Sequence, residues 1–165
     1  MTSYRSPIIF DEQGATIVFS SAINDLSGKL IGVLRAKYDA EILTTLFDRT
    51  KGMVGRGSFA ILLDENSLRL VHGRRYDLKY TLAENKSEST LQALKAANRI
   101  PVAATGKRAE DQSWMEKVHA TNVRDPIIES QFYGLGTTMY SSAVVNLATA
   151  PWTIIVSLPE SVFLE

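Results

Sequence analysis

The fold is decided by residues 55–72, which read GRGSFAILLDENSLRLVH. Ser58 to Leu63 is a short apolar run bounded by turn residues, a pattern typical of a buried strand. The polar residues 64–67 then form a turn signal, and Leu68 to His72 is a second apolar run. Glycines at 52, 55 and 57 break any helix that precedes this pair. The stretch therefore predicts a β-hairpin that is entered through a glycine-rich turn.

Upstream of this hairpin, residues 7–38 are predicted to form an antiparallel meander. The run Ala15 to Ile23 is small, β-branched and apolar, and it follows the turn-prone residues 11–14. Residues 24–29 contain Asn, Asp and Gly, which tolerate turn geometry, and they precede the apolar run Leu30 to Leu34. A meander of this size is too small to be stable alone, so we expect it to pack on the next helix or to belong to a neighbouring module.

A helix is predicted from Asp39, a good N-cap residue, to about Lys51. Four apolar side chains recur in it at helical spacing on one face: Ile42, Leu43, Leu46 and Phe47. We expect all four to be buried, which would make this helix an integral strut of the fold.

The rest of the chain is predicted to contain helical segments followed by a second meander. Ser89 to Asn98 is rich in Ala and Leu and predicts a helix, Ala103 to Gln112 a loop, and Trp114 to His119 a short helical turn. Three strands are then predicted: Gln131 to Thr137, Met139 to Leu147 and Trp152 to Leu158. Antiparallel hairpins with helices set apart from them predict an α+β fold, with a central antiparallel sheet of about five strands over residues 58–158 and flanking helices.

The composition excludes several classes of function. Lys plus Arg and Asp plus Glu both number 18, so the net charge is zero and no basic field favours nucleic acid. The chain has no cysteine, and we expect no metal site and no cofactor. We find neither a Gly-x-Ser-x-Gly elbow nor a phosphate-binding glycine loop. No run approaches the ~20 apolar residues of a membrane span, so we expect contact with a membrane only through flanking helices outside these residues.

Three stretches resemble the Cache sensor domains of bacterial receptors, whose fold is PAS-like. Residues 28–34 (GKLIGVL), followed by Tyr38-Asp39 and a helix, resemble the end of the membrane-distal module and the connecting helix of a double Cache domain. The hairpin at 55–72 resembles the start of the membrane-proximal module, although Asn66-Ser67 stands where an Asp-Gly turn is usual. Residues 150–163 (APWTIIVSLPESVF) resemble the closing strand. The resemblance implies three parts: the end of a truncated distal module at 1–38, a connecting helix at 39–52, and a proximal module at 53–165.

The resemblance also implies a function. It is that of a non-catalytic, ligand-sensing input domain in the extracytoplasmic part of an inner-membrane receptor, whose output is a histidine kinase, a chemotaxis transducer or a cyclic-nucleotide enzyme. The ligand would be a small molecule of the amino acid, organic acid or amine class. A homodimer is possible, and the sequence does not decide whether it forms. Two alternatives remain: a cytoplasmic PAS- or GAF-like regulatory module, and a small enzyme that uses His72 or His119.

Seven residues are candidates for the ligand site. Four follow the second strand of the hairpin, where a Cache pocket has its rim, and combine an anion partner, an aromatic wall and an amine partner: His72, Arg74, Tyr76 and Asp77. Trp114 lies in the polar insert between helix and sheet, where an aromatic ring could either cap a ligand or pack against the core. Tyr133 and Tyr140 fall on predicted strands and could face either the pocket or the surface. The alternative for the first four is an exposed polar turn.

Overall fold

The computed structural model describes residues 3–104, 112–122, 124–132 and 134–163. Its N-terminal part is an antiparallel sheet in which the long strand β3 pairs with β1 and β2 along one edge and with β4 along the other. The strands are β1 (Ser3–Arg5), β2 (Ile9–Asp11), β3 (Gly14–Asn24) and β4 (Leu30–Asp39). Helix α1 (Glu41–Asp48) follows β4 and leads towards a second sheet.

The second sheet is antiparallel and has five strands in the order β6-β5-β9-β8-β7. Its strands are β5 (Phe59–Leu63), β6 (Arg69–His72), β7 (Ile127–Ser130), β8 (Tyr140–Asn146) and β9 (Thr153–Pro159). The helices around it are α2 (Glu88–Ala96), α3 (Gln112–Ala120) and α4 (Glu160–Phe163), together with a 3₁₀ turn at Tyr76–Leu78. The predicted α+β class and the sheet of five strands are confirmed.

Strands β5 and β9 form the centre of this sheet. Every residue of β5 is buried, because successive side chains of a strand point to opposite faces and both faces are covered. Phe59, Ile61 and Leu63 belong to one hydrophobic cluster, and Leu62 belongs to the other. The central strand therefore separates two cores.

The first core is shared between the two sheets. It joins Leu62 and Trp152 of the five-strand sheet to Ile17 of the N-terminal sheet and to Leu43 of α1. Its buried members are Ile8, Ala15, Ile17, Ala40, Leu43, Leu62, Leu68, Leu70, Val71, Leu82, Leu91, Ile100, Ala104 and Trp152. The N-terminal meander thus packs into the same core as the second sheet and α1.

One strand and one helix differ from the sequence prediction. Residues 131–132 and 134–137, which belong to a predicted strand, lie in the connection that follows β7, and the strand itself ends at Ser130. Gly134 and Gly136 have φ of +74° and +73°, which an extended strand does not accommodate. Trp114 belongs to a full nine-residue helix, α3, where only a helical turn was predicted. Most of the predicted loop 103–112 lies outside the described residues.

Helix α1 is shorter than predicted and buries half of its apolar stripe. The Asp39 carboxylate accepts a hydrogen bond from the Glu41 amide at 2.8 Å, close to its predicted capping role, although Ala40 is the N-cap. Leu43 is 9% exposed and packs in the first core, whereas Leu46 is 49% exposed. Consecutive helical residues are about 100° apart, so the pair Leu43 and Phe47 faces a different direction from the pair Ile42 and Leu46. A helix that contacts the sheet on one side therefore buries only one of these two pairs. The prediction that Ile42 and Leu46 are buried was wrong.

We expect Leu43→Ala to lower the free energy of unfolding by about 2–3 kcal/mol, since it removes a buried side chain and leaves a cavity. The matched change Leu46→Ala removes a side chain that is already half in water and is expected to stay within about 0.5 kcal/mol of wild type. Urea denaturation of the two variants measures the difference. Equal losses in both would contradict the packing of α1 described above.

Candidate functional site

The second face of the five-strand sheet carries an aromatic cluster that α3 covers. The Phe59 ring meets the rings of Phe132 and Tyr140 edge to face, with centroids 5.5 Å and 5.4 Å apart. Trp114 of α3 lies against Phe132 at 5.3 Å. The buried members of this second core are Phe59, Ile61, Leu63, Ala83, Trp114, Met115, Val118, Ile128, Phe132, Tyr140, Val144 and Ile155.

A bulge in the β5–β6 ladder brings two basic side chains of β6 onto this face. The register shifts between the Leu62–Val71 pair and the Leu63–Arg69 pair, which re-aims the bulged strand. The His72 ring stacks on Phe59 with centroids 5.4 Å apart, and the Arg69 guanidinium lies 5.9 Å from the centre of the Trp114 ring. Arg69 also donates to the Leu82 carbonyl at 2.8 Å.

His72 is buried and neutral. It is 2% exposed, and its Nδ1 accepts a hydrogen bond from the backbone amide of Arg75 at 3.1 Å, with the amide of Arg74 at 3.4 Å. Burial, together with the positive charges of Arg69 and Arg75, lowers the pKa of His72 from 6.5 to about 3. The imidazole therefore holds the turn after β6 as a neutral acceptor.

Arg74 joins three segments of the chain at one end of the sheet. Its Nη1 donates to the hydroxyl of Tyr140 at 3.0 Å and approaches the Gly57 carbonyl at 3.5 Å. Tyr140 is buried in the second core, whereas Arg74 is exposed. The arginine thus connects the end of β6 to the beginning of β8 and to the glycine-rich turn before β5.

The seven candidates do not gather in one pocket. His72, Arg74, Trp114 and Tyr140 meet at the aromatic face, but the Tyr76 hydroxyl donates to the Asp48 carboxylate at 3.0 Å, next to α1. Asp77 is exposed and pairs with Arg75 at 2.6 Å. Tyr133 lies outside the described residues. A role in ligand binding stays a prediction for all seven.

A cavity of about 440 Å³ opens beside the aromatic cluster, between α3 and the connection from β7 to β8. We call it the α3 cavity. Its lining residues are Ser113, Lys117, Ser130, Gln131, Phe132, Gly134, Gly136 and Met139. Ligand sites of proteins commonly fall in this size range and combine apolar walls with a few polar groups. None of the six candidates that the structure describes is among these residues.

Ser130, at the end of β7, is the residue of the cavity wall that indicates a binding site most strongly. It is 4% exposed, and within the described chain its Oγ has no hydrogen-bond partner. A buried hydroxyl without a partner costs about 1–3 kcal/mol. The indole Nε1 of Trp114, buried behind the neighbouring Phe132, is a second such donor. A buried polar group without a partner requires an explanation, such as a bound water or ion or a functional role, and for Ser130 the adjoining cavity supplies a place for another molecule.

The α3 cavity is joined to the C-terminal helix through Met139. The Met139 carbonyl accepts a hydrogen bond from the amide of Glu160, the first residue of α4, at 3.0 Å. On the other side of this segment, Gly55 has a φ of +140°, and a Cβ there would lie 2.8 Å from Leu158 and 3.2 Å from Val162. The close approach of the glycine-rich turn leaves no space for a larger residue at position 55. One hydrogen bond thus joins the cavity wall to the residue that follows β9.

Lys117 and Ser130 were not predicted as site residues, because residues 131–137 were expected to form a strand. With a strand there, no cavity wall could be recognised between β7 and β8. The signal was the Gly-Leu-Gly triplet at 134–136, which breaks a strand pattern. Nothing in the sequence marks the Ser130 hydroxyl as unpartnered, because that property depends on α3 and β8 packing around it.

The fold is that of solved bacterial sensor domains. The sensor domain of the histidine kinase DctB from V. cholerae superimposes with a TM-score of 0.60 at 11% identity, over 96% of this chain and 56% of that one. The periplasmic domain of RsbU from Chlamydia trachomatis gives 0.53 at 14% identity, over 98% and 56%. The ligand-binding domain of Mlp24, solved with asparagine, gives 0.50 at 7% identity, over 96% and 51%. The predicted Cache-like fold is thereby confirmed.

The chain spans about half the length of these solved structures. No protein-family model matches it, and no curated protein matches it in sequence. The chain is therefore an α+β domain that shares the fold of these solved domains.

We expect His72 to make stability depend on pH. Its pKa in the folded chain is below 6.5, so the unfolded chain binds more protons between pH 6.5 and about 3, and the free energy of unfolding falls as pH is lowered through this window. The fall is measured best between pH 6.5 and about 5, before most carboxylates titrate. In His72→Asn, whose amide oxygen can replace Nδ1 as acceptor, the slope flattens.

His119→Asn is the matched control, since His119 is exposed and pairs with Glu84 at 3.1 Å. The wild-type slope is expected to persist in it. Denaturation curves at a series of pH values give the comparison, and a wild-type stability that does not change down to pH 5 would contradict a buried, neutral His72.

Proposed function

We propose that this chain is a non-catalytic, ligand-sensing input domain in the extracytoplasmic part of a bacterial transmembrane receptor. The observation that carries the proposal is the α3 cavity, with its unpartnered Ser130 hydroxyl, joined by one hydrogen bond to the C-terminal helix. The likeness in fold to periplasmic sensor domains supports it. The receptor output is a histidine kinase, a chemotaxis transducer or a cyclic-nucleotide enzyme.

Signalling in this proposal is a shift between two arrangements of the wall around Met139. A ligand favours the arrangement that it binds better, and it moves the equilibrium by no more than that difference in affinity. The Met139 carbonyl then carries the shift to Glu160 and α4. In the described ranges no helix is both long and apolar enough to cross a membrane.

We also propose that residues 1–38 are the end of a distal module, 39–52 the connecting segment and 53–165 the proximal module. In the described chain, β4 pairs with β3 and leaves its other edge open. Five of its apolar side chains are at least half exposed: Leu30, Ile31, Val33, Leu34 and Tyr38. Long, apolar, open edges are normally covered or paired in proteins, which supports further strands or a helix of the same receptor over β4.

The two alternatives receive less support. A cytoplasmic PAS- or GAF-like module would share the sheet, but the structural neighbours described above are periplasmic or sensor domains. An enzyme would need a reactive imidazole, yet His72 is buried with its pKa lowered to about 3. His119 lies beside Glu84, whose carboxylate also contacts Lys86 and Ser67, in a position typical of a surface ion pair.

A screen of amino acids, organic acids and amines by thermal shift tests the sensing function. A ligand at a hundredfold excess over its Kd stabilises the folded chain by about 2.7 kcal/mol, which raises Tm by roughly 5–10 °C at this chain length. We expect at least one class of compound to do so. If Ser130→Ala keeps the full response, the ligand binds outside the α3 cavity. If no class of compound raises Tm, the proposal is contradicted.

Glu160→Pro tests the connection to α4. Proline has no amide hydrogen, so the bond to Met139 is lost, while proline is well tolerated at the first position of a helix. We expect a ligand from the screen to bind this variant but no longer to slow hydrogen exchange in α4. Glu160→Ala keeps the amide and is the matched control, in which ligand-dependent protection of α4 persists. Equal protection in both variants would contradict transmission through this bond.

A further inference from the structure

A cavity of about 670 Å³ opens at the junction between the N-terminal sheet and the segments that follow β6 and α2. We call it the junction cavity. Strands β2 and β3 form one wall with Phe10 and Ala15, and Tyr80, Asn98 and residues 100–102 form the others. The volume is typical of sites for small molecules, and the junction cavity shares no lining residue with the α3 cavity.

The walls of the junction cavity are predominantly apolar. Ile100 is 1% exposed and belongs, with Ala15, to the core that the two sheets share. Phe10 and Tyr80 pack against the same core, and their rings meet edge to face with centroids 5.0 Å apart. Val102 is exposed on the side that is open to solvent. A flat ring between these walls would bury apolar surface and would add aromatic contacts with Phe10 and Tyr80.

Tyr80 is held in a backbone conformation that tyrosine rarely adopts. Its φ is +61°, in the left-handed region that is unfavourable for a residue with a Cβ. Hydrogen bonds on both sides maintain this conformation: the Tyr80 amide donates to the Arg69 carbonyl at 2.7 Å, and the Thr81 amide donates to the Leu78 carbonyl at 3.1 Å. Strained residues of this kind are concentrated at functional sites, which supports a binding role for the Tyr80 ring.

The Tyr80 hydroxyl can serve as the polar partner of a bound molecule. Within the described ranges it has no hydrogen-bond partner, and it is not among the polar atoms that are sealed from solvent. Burial and the carboxylates of Glu41 and Asp39 raise the pKa of Tyr80 above its usual value, so the hydroxyl stays protonated at neutral pH. The Asn98 amide is exposed to water, whereas a half-buried hydroxyl in an apolar wall gains more from a ligand.

The charged groups around the junction cavity disfavour anions and give little to a cation. Asp11 and Glu12 line it, and no lysine or arginine of the described chain does, so an anionic ligand would meet like charges. Asp11 already pairs with Lys37 at 2.8 Å, and Glu12 is exposed, where an ion pair contributes little. The Lys79 ammonium lies 4.8 Å from the centre of the Tyr80 ring and occupies the place of an organic cation there. An uncharged molecule therefore suits the cavity best.

We propose that the junction cavity binds a small uncharged aromatic molecule with one hydroxyl or ring N–H group, of the phenol or indole type. The ring lies against Phe10 and Tyr80, and the Tyr80 hydroxyl oxygen accepts a hydrogen bond from the polar group of the ligand. This inference goes beyond the proposed sensing function, because the site does not depend on ligand binding in the α3 cavity. A molecule bound there bridges the N-terminal sheet and the segments that follow β6 and α2.

The test uses four probes that share one benzene ring: p-cresol, toluene, benzylamine and benzoate. At pH 7 they are, in this order, uncharged with a hydroxyl, uncharged without a polar group, cationic and anionic. Apparent Kd values come from ¹H–¹⁵N NMR titrations of the whole chain, in which we expect the amides of Gly14, Asn98 and Val102 to shift. We expect p-cresol to bind roughly threefold more tightly than toluene and about tenfold more tightly than either charged probe.

Two variants separate the hydroxyl from the ring, and each has a matched control. Tyr80→Phe is expected to bind p-cresol no better than toluene, and Phe10→Leu to weaken both probes by roughly threefold through the lost ring contact. The controls are Tyr38→Phe and Phe19→Leu, whose rings form another edge-to-face pair on the N-terminal sheet, 5.7 Å apart and outside the junction cavity. Both controls are expected to bind p-cresol as wild type does. The Tm of each variant without ligand shows that it is folded.

Each other result overturns the inference. Tighter binding of benzylamine or benzoate than of p-cresol rejects an uncharged ligand, and equal binding of p-cresol and toluene to the wild type rejects the hydrogen bond. Binding of p-cresol that is unchanged in both Tyr80→Phe and Phe10→Leu places the aromatic site elsewhere. If none of the four probes binds, the site is rejected. The screen of amino acids, organic acids and amines then still decides separately whether the chain senses a ligand in the α3 cavity.

Discussion

Strand β5 pairs with β9 at the centre of the five-strand sheet, and both faces of this pair are covered. The pairing joins residues about 95 positions apart, from Phe59 with Ser157 to Leu63 with Thr153. Its formation therefore closes a loop that contains more than half of the chain, at a cost in conformational entropy. One face of the pair holds the core shared with the N-terminal sheet, and the other holds the aromatic cluster. Neither core could close without it.

The same pair positions the α3 cavity and the C-terminal helix α4. Phe59, at one end of the pair, is the ring on which His72 stacks and against which Phe132 and Tyr140 lie. At the same end β9 runs directly into α4, whose first amide bonds to the cavity wall at Met139. The cavity wall and the C-terminal segment thus share a few residues at one end of the sheet, which is the arrangement on which the proposed sensing function depends.

Much of the fold could be predicted from local patterns, and the site could not. The apolar run 58–63 and the turn residues after it predict the central hairpin, because strand burial and turn chemistry are local properties. Leu46 was wrongly placed in the core, since periodicity does not tell how wide a face the neighbouring sheet covers. The cavity was missed because Ser130 and Lys117 acquire their roles only when α3 packs over β7, a contact between segments that local patterns do not relate.

Two-dimensional ¹H–¹⁵N NMR of the isotope-labelled chain, titrated with a compound that raises Tm in the thermal-shift screen, measures ligand binding and its transmission in one experiment. We predict progressive shifts of the amides of Ser113, Lys117 and Ser130 in the cavity and of Glu160 in α4, with the hairpin tip around Lys29 unchanged. Shifts confined to the N-terminal sheet, or cavity shifts without any change at Glu160, would contradict a ligand site that is coupled to the C-terminal helix.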